Sequence, residues 1–158
     1  MGAIEPLELV LRLVSATLCG GLIGLERELH GKPVGLKTVT LVAVGTAVLT
    51  LVGVEVTLMP GADGYNTGGD LGRMLQGMTA GLGMLGAGMF IHRDNNIRMA
   101  TSGAGVWLAG AAGIACGLGL FLLAGIATAI ALVILAGIGY AERRMAPEKH
   151  PDHSKEAA

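Results

Sequence analysis

The chain has 158 residues, of which 52% are hydrophobic and 15% charged, with a mean hydropathy of +0.63. A soluble domain carries roughly 25% charged residues, so this balance excludes an ordinary water-exposed surface. A formal net charge of −1, with no basic patch interleaved with aromatics, excludes nucleic acid as a partner and leaves the lipid bilayer as the medium.

Five transmembrane helices are expected, near residues 6–25, 36–54, 71–91, 99–117 and 119–140, giving an all-α polytopic membrane protein with glycine-rich packing faces. The first contains Arg12, one turn after Glu8, and the pair Gly20 and Gly24, whose four-residue spacing opens one face to a neighbouring backbone. It follows Glu5 and Glu8 rather than a positive stretch, so it is read as a retained helix and not a cleaved signal peptide. Glu26, Arg27, Glu28, His30, Lys32 and Lys37 then crowd around Pro33 and Gly35 as a solvated, mixed-charge loop, with a docking surface or gate as the alternative. The second helix includes a charge-free run over 38–54.

Arg73 and Gln76 open the third helix, with Asp70 placed to pair with Arg73 or to cap the helix. Gly77 and Gly81 form a second small-residue pair there. Residues 81–86 match the G-x-G-x-x-G pattern, but inside a charge-free run rather than after a strand, so Gly81, Gly83 and Gly86, with Gly88, read as packing or interface positions instead of a phosphate cradle. Residues 99–141 form one apolar stretch of 43, about twice a single crossing, so it folds back near Cys116–Gly119. Gly113 and Gly117 repeat the small-residue spacing there, and Trp107 sits on the same helix. Residues 1–142 thus make one membrane domain. Residues 143–158, with Pro147 and Pro151 among charges, have nothing to bury and are expected to be a disordered cytoplasmic tail.

Nine of the eleven Lys and Arg residues fall in the first loop, the third loop and the tail. Cytoplasmic loops carry that excess, so the N-terminus is expected outside and the C-terminus in the cytoplasm. No Asp, Glu, Lys or His lies near the middle of a helix, no catalytic constellation occurs, and the four histidines lack ligand spacing. An enzyme and a cofactor are therefore not expected. Cys19 and Cys116 are read as inert packing thiols rather than a disulfide.

Three motifs then carry a family resemblance across about residues 7–140. Gly24-Leu25-Glu26-Arg27 with Pro33-Val34-Gly35-Leu36-Lys37-Thr38 resembles the G-x-E-R and A-G-L-R-T elements of the MgtC/SapB proteins. Arg73, Gln76-Gly77, Gly81, Gly83 and Leu85-Gly86-Ala87-Gly88 resemble R-x-x-Q and G-I-G-F-L-G-A-G. Thr101-Ser102-Gly103-Ala104 with Trp107 resembles T-T-A-A-x-x-W. Lys37 stands where the family has Arg, Met84 where it has Phe, and Met99-Ala100 where it commonly has Gly-Leu. Longer members continue into a soluble C-terminal domain, where this sequence has only its tail. The resemblance implies a bacterial inner-membrane protein tied to magnesium limitation and, in some members, to virulence and restraint of the F-type ATP synthase.

The leading expectation is a non-enzymatic membrane protein acting in magnesium or ion homeostasis through contact with another membrane protein, or with a second copy as a homodimer. The alternative is a transporter or channel for Mg²⁺ or another small solute. The candidate polar residues are Arg73, Gln76, Glu26, Arg27, Lys37 and Thr38.

Overall fold

The computed structural model describes residues 4–58, 67–90 and 98–145. Their secondary structure is helical throughout: α1 (Pro6–Leu29), α2 (Leu36–Thr57), α3 (Thr67–Phe90), α4 (Arg98–Gly117) and α5 (Phe121–Met145). The tail expected from residue 143 starts inside α5, and residues 146–158 lie outside the described segments, as do 59–66 and 91–97.

α1 begins with Pro6, whose missing N–H would be unpaired in a first turn anyway. It runs past Leu25 because its stop signal is Gly31, at φ +61°. There the Gly31 N–H donates to the Glu28 carbonyl at 3.1 Å and the Lys32 N–H to the Arg27 carbonyl at 3.0 Å. Left-handed backbone costs an L residue roughly 1–2 kcal/mol, which glycine avoids. α4 ends the same way: Gly119, at φ +79°, donates to Cys116 at 2.9 Å and Leu120 to Ala115 at 2.8 Å. α5 follows at once. α2 starts where the Glu28 carboxylate accepts the Leu36 N–H at 2.8 Å, which satisfies one of the donors exposed at a helix start.

α1, α2 and α4 pack on one another as the centre of the bundle, α3 flanks α4 and α2, and α5 flanks α4 and α1. The interior is made of small residues, among them Ala16, Ala43, Ala47, Ala109, Ala112 and Ala124. Large ones face outward: Leu7, Leu11, Leu18, Leu22 and Leu29 line one side of α1, opposite its buried Ala16, Gly20, Ile23 and Gly24. Leu122, Ile126, Ile130 and Val133 do the same on α5. In water this order would expose an apolar surface far beyond what soluble proteins carry. In lipid it is stable, because leucine gains nothing by leaving hydrocarbon and helices adhere through close backbone approach. α1 and α2 are each long and apolar enough to cross a membrane.

That close approach is explicit. A Cβ added at Gly20 would lie 2.6 Å from Ala43 Cβ, one at Gly24 2.8 Å from Leu36 Cα, and one at Gly117 2.7 Å from Thr50 Cβ. At Gly113 it would overlap the Ala43 carbonyl and Thr46 Oγ1 outright. Thr46 Oγ1 also donates across the same seam to the Gly110 carbonyl at 2.9 Å, joining α2 to α4 by hydrogen bond as well as contact.

Candidate functional site

The extra turn of α1 carries Arg27 onto the face already occupied by Ala16, Gly20, Ile23 and Gly24. Its side chain is 1% exposed. Nε donates to the Val34 carbonyl at 3.2 Å, Nη1 to the Thr101 carbonyl at 3.1 Å and Nη2 to Ser102 Oγ at 2.6 Å. Gly105 makes room: a Cβ there would stand 3.0 Å from Nη1. One guanidinium therefore ties the end of α1 to the α1–α2 turn and to the first turns of α4.

Arg27 forms no ion pair among the described residues. The neighbouring carboxylates are engaged elsewhere, Glu26 with His30 Nδ1 at 3.1 Å and Glu28 with the start of α2. Burying an ion costs several kcal/mol, and hydrogen bonds to a charged group return about 1.5–3 kcal/mol each, so only a full set of acceptors makes the position tolerable. The mixed-charge stretch is thus not a uniformly solvated loop. Arg27 leaves it for the interior because α1 does not end at Leu25, while Lys37 and Thr38 remain exposed.

At the opposite end, Arg12 is paired with Glu8, as its spacing suggests, and Nη1 also donates to the Gly117 carbonyl at 2.7 Å, closing the last turn of α4. The Ile4 N–H donates to Glu55 Oε1 at 2.9 Å nearby in the chain fold. Arg73 is exposed and makes no ion pair with Asp70.

α3 docks through Met74, Met78 and Leu82, one per turn: Met74 fills the space over Gly53, Met78 Sδ lies 4.0 Å from Thr50 Oγ1, and Leu82 enters the hollow at Gly110. The glycines of α3 are on other sides. Among the described residues nothing lies within 4 Å of a Cβ placed at Gly77, Gly81, Gly83, Gly86 or Gly88, so they form no packing face there, and Gln76 is exposed. Trp107 is 44% exposed on α4. The six candidate polar residues do not form one cluster. Met74 meets α2 at Gly53 and Arg27 meets the turn before Leu36, so Arg73 and Gln76 stand about 25 Å from Arg27, the length of α2 between those points at 1.5 Å per residue. No group of three or more His, Cys, Asp or Glu side chains gathers among the described residues.

Sequence reasoning also missed that Cys19 and Cys116 belong to one packed cluster. Cys19 packs against the apolar cluster of Ala16, Ala47, Ala115, Cys116 and Ala124, which joins α1, α2, α4 and α5.

An inverted distribution of side-chain size, a core sealed by glycine and alanine, and charges used to join helix ends define an all-α integral membrane protein. Residues 13–144 match the model of the MgtC family, and the chain belongs to that family. It is 37% identical over 112 residues to the protein MgtC of Salmonella typhimurium, covering 71% of this chain and 44% of that one. It is 37% identical over 120 residues to SapB of Bacillus subtilis, covering 75% and 50%, and 39% identical over 109 residues to an uncharacterized protein of Haemophilus influenzae, covering 68% and 46%. The chain spans about half the length of these relatives. No solved structure matches it.

Proposed function

We propose that this chain is a non-enzymatic membrane protein of the MgtC/SapB type that serves magnesium homeostasis by binding another membrane protein, with the F-type ATP synthase as the partner that the family resemblance suggests. The observation that carries this reading is the open face of α3. Among the described residues the helix meets its neighbours through Met74, Met78 and Leu82, while Gly77 and Gly81 lie open on one side of it and Gln76 is exposed on another, about 100° or more around the helix. A bare amide facing hydrocarbon is costly, and a glycine-lined surface is what lets a second backbone come close. A transmembrane helix of the partner seated on Gly77 and Gly81 meets the second demand.

In this reading the N-terminus is outside and the Arg27 junction lies at the cytoplasmic end, in line with the distribution of Lys and Arg. Magnesium is then the condition to which the protein is linked rather than a ligand it holds. A transport path with Arg73, Gln76 and Glu26 at its ends has less support, because the centre between those ends is filled by apposed glycine, alanine and threonine.

The test is co-purification of the ATP synthase from membranes of cells grown in low magnesium. Gly77→Leu and Gly81→Leu, at positions where an added Cβ meets nothing within 4 Å among the described residues, are expected to abolish capture while the monomer stays folded. Equal capture by the variants and the natural chain would overturn the reading.

A further inference from the structure

Asp70, Arg73 and Gln76 follow one another at three-residue spacing along the Thr67 half of α3, and their side chains make no hydrogen bond or ion pair among the described residues. The helix has 24 residues, about 36 Å at 1.5 Å per residue, against a hydrocarbon core of about 30 Å. Gln76 is nine residues in from Thr67, about 14 Å along the axis, so its amide stands inside the hydrocarbon and away from water. Arg73 is nearer the interface, and its longer side chain extends to it. A lone carboxamide in lipid keeps two N–H donors and a carbonyl unsatisfied, which is costly. At about 100° per residue, Gln76, Ala80, Gly83 and Ala87 fall within about 60° of one another, across the axis from the docked stripe of Met74, Met78 and Leu82. All four are exposed.

We propose that this seam docks a second copy of the chain, as a parallel two-fold dimer with Gln76 opposite Gln76 and Arg73 of each copy facing Asp70 of the other. The polar groups choose the occupant, because they are their own complement. A carboxamide both donates and accepts, so two of them across a two-fold axis exchange hydrogen bonds. A two-fold interface sets each residue against itself or a reciprocal partner. Asp70 and Arg73 carry opposite charges and leave each other unpaired within one chain, so a second copy gives each its counter-charge at the rim of the seam. A different membrane protein would need an amide and two charges matched to the same pattern at the same depth. The spacing of four, three and four from Gln76 to Ala87 is that of a heptad seam. Ala80, Gly83 and Ala87 extend no further than a methyl group, so two backbones come close enough for the amides to meet. The dimer does not depend on the foreign partner proposed above, which would occupy the Gly77 and Gly81 side.

The test uses the full chain in cell membranes, with Cys19 and Cys116 replaced by serine and one cysteine introduced at a time. Under copper-phenanthroline, Ala80→Cys, Gly83→Cys and Ala87→Cys are expected to give a cross-linked dimer on a non-reducing gel, whereas Gly81→Cys and Gly88→Cys give little. Adding Gln76→Leu, a change confined to an exposed side chain, should lower the Ala80→Cys yield several-fold. The charges are read by giving the Ala80→Cys chain either Arg73→Asp or Asp70→Arg, under different tags. Each is expected to cross-link weakly with itself and strongly with the other when the two are co-expressed. Cross-linking no stronger at the three seam positions than at Gly81 and Gly88 would overturn the seam, and an undiminished yield with Gln76→Leu would overturn the amide pair. Charge variants that join themselves as readily as each other would overturn the pairing of Arg73 with Asp70.

Discussion

Arg27 is held by bond geometry rather than by an opposite charge. Its three acceptors are two backbone carbonyls and one hydroxyl, spread over two carbonyl-bearing elements and arranged around a planar fork. Lysine keeps the charge but presents a single ammonium that cannot span that arrangement. Methionine removes the charge and keeps much of the volume, and replacing a buried ion by a well-packed apolar residue is often close to neutral. Arg27→Lys is therefore expected to destabilise the protein more than Arg27→Met, by about 1.5–3 kcal/mol, the worth of a hydrogen bond to a charged group. Thermal unfolding of the two variants in detergent measures the difference, and a Lys variant as stable as the natural chain would show that bond number is not what holds this position.

This residue also marks where sequence reading gave out. Six charged or titratable residues within Glu26–Lys37 average to a loop, and averaging hides one member that continues a buried helical face. The trace was present in the spacing Ala16, Gly20, Ile23, Arg27 and in the stop signal at Gly31, six residues beyond the end of the apolar run at Leu25. Arg12 was easier to place, because its partner Glu8 is one turn away on the same helix. That Cys19 and Cys116 share one cluster had no local signal at all, since it depends on how α1 and α4 cross.

Glycine spacing has different outcomes on different helices. Four-residue pairs coincide with near-contact of backbones on α1 and α4, whereas on α3 the same spacing faces away from the bundle. Spacing reports that a helix has a smooth side; it does not report which side is occupied. On α3 the occupied side is set by Met74, Met78 and Leu82, large side chains that fill hollows left by Gly53 and Gly110 on the neighbours. The two kinds of glycine are expected to respond oppositely to a methyl group. Gly113→Ala drives a Cβ into the Ala43 carbonyl and Thr46 Oγ1, and overpacking of this kind costs about 1–3 kcal/mol. Gly77→Ala meets nothing and gains helix propensity, worth up to about 1 kcal/mol. Unfolding by denaturing detergent should therefore shift down for the first and stay level or shift up for the second. Equal losses at both sites would mean that α3 is packed more closely than its open face indicates.

For the molecule as a whole, the order of side chains fixes the medium but leaves the direction of insertion to charge. Small residues inside and leucines outside suit lipid from either direction. The ends of the bundle differ: one holds the Arg27 junction with Lys32 and Lys37 exposed or half-exposed nearby, the other holds the Arg12–Glu8 pair and Glu55. The excess of Lys and Arg resists translocation, so the Arg27 end should face the cytoplasm and the Glu8 end the outside. Single cysteines in a background with Cys19 and Cys116 replaced by serine test this directly, using a charged, membrane-impermeant maleimide on intact cells. Gly64→Cys, in the connection between α2 and α3, is expected to react from outside. Pro33→Cys, in the exposed turn beside Arg27, should react only after the membrane is opened. Reversed labelling would place the guanidinium junction outside the cell. It would also turn the open face of α3 end for end relative to any partner and require a different docking geometry from the one proposed.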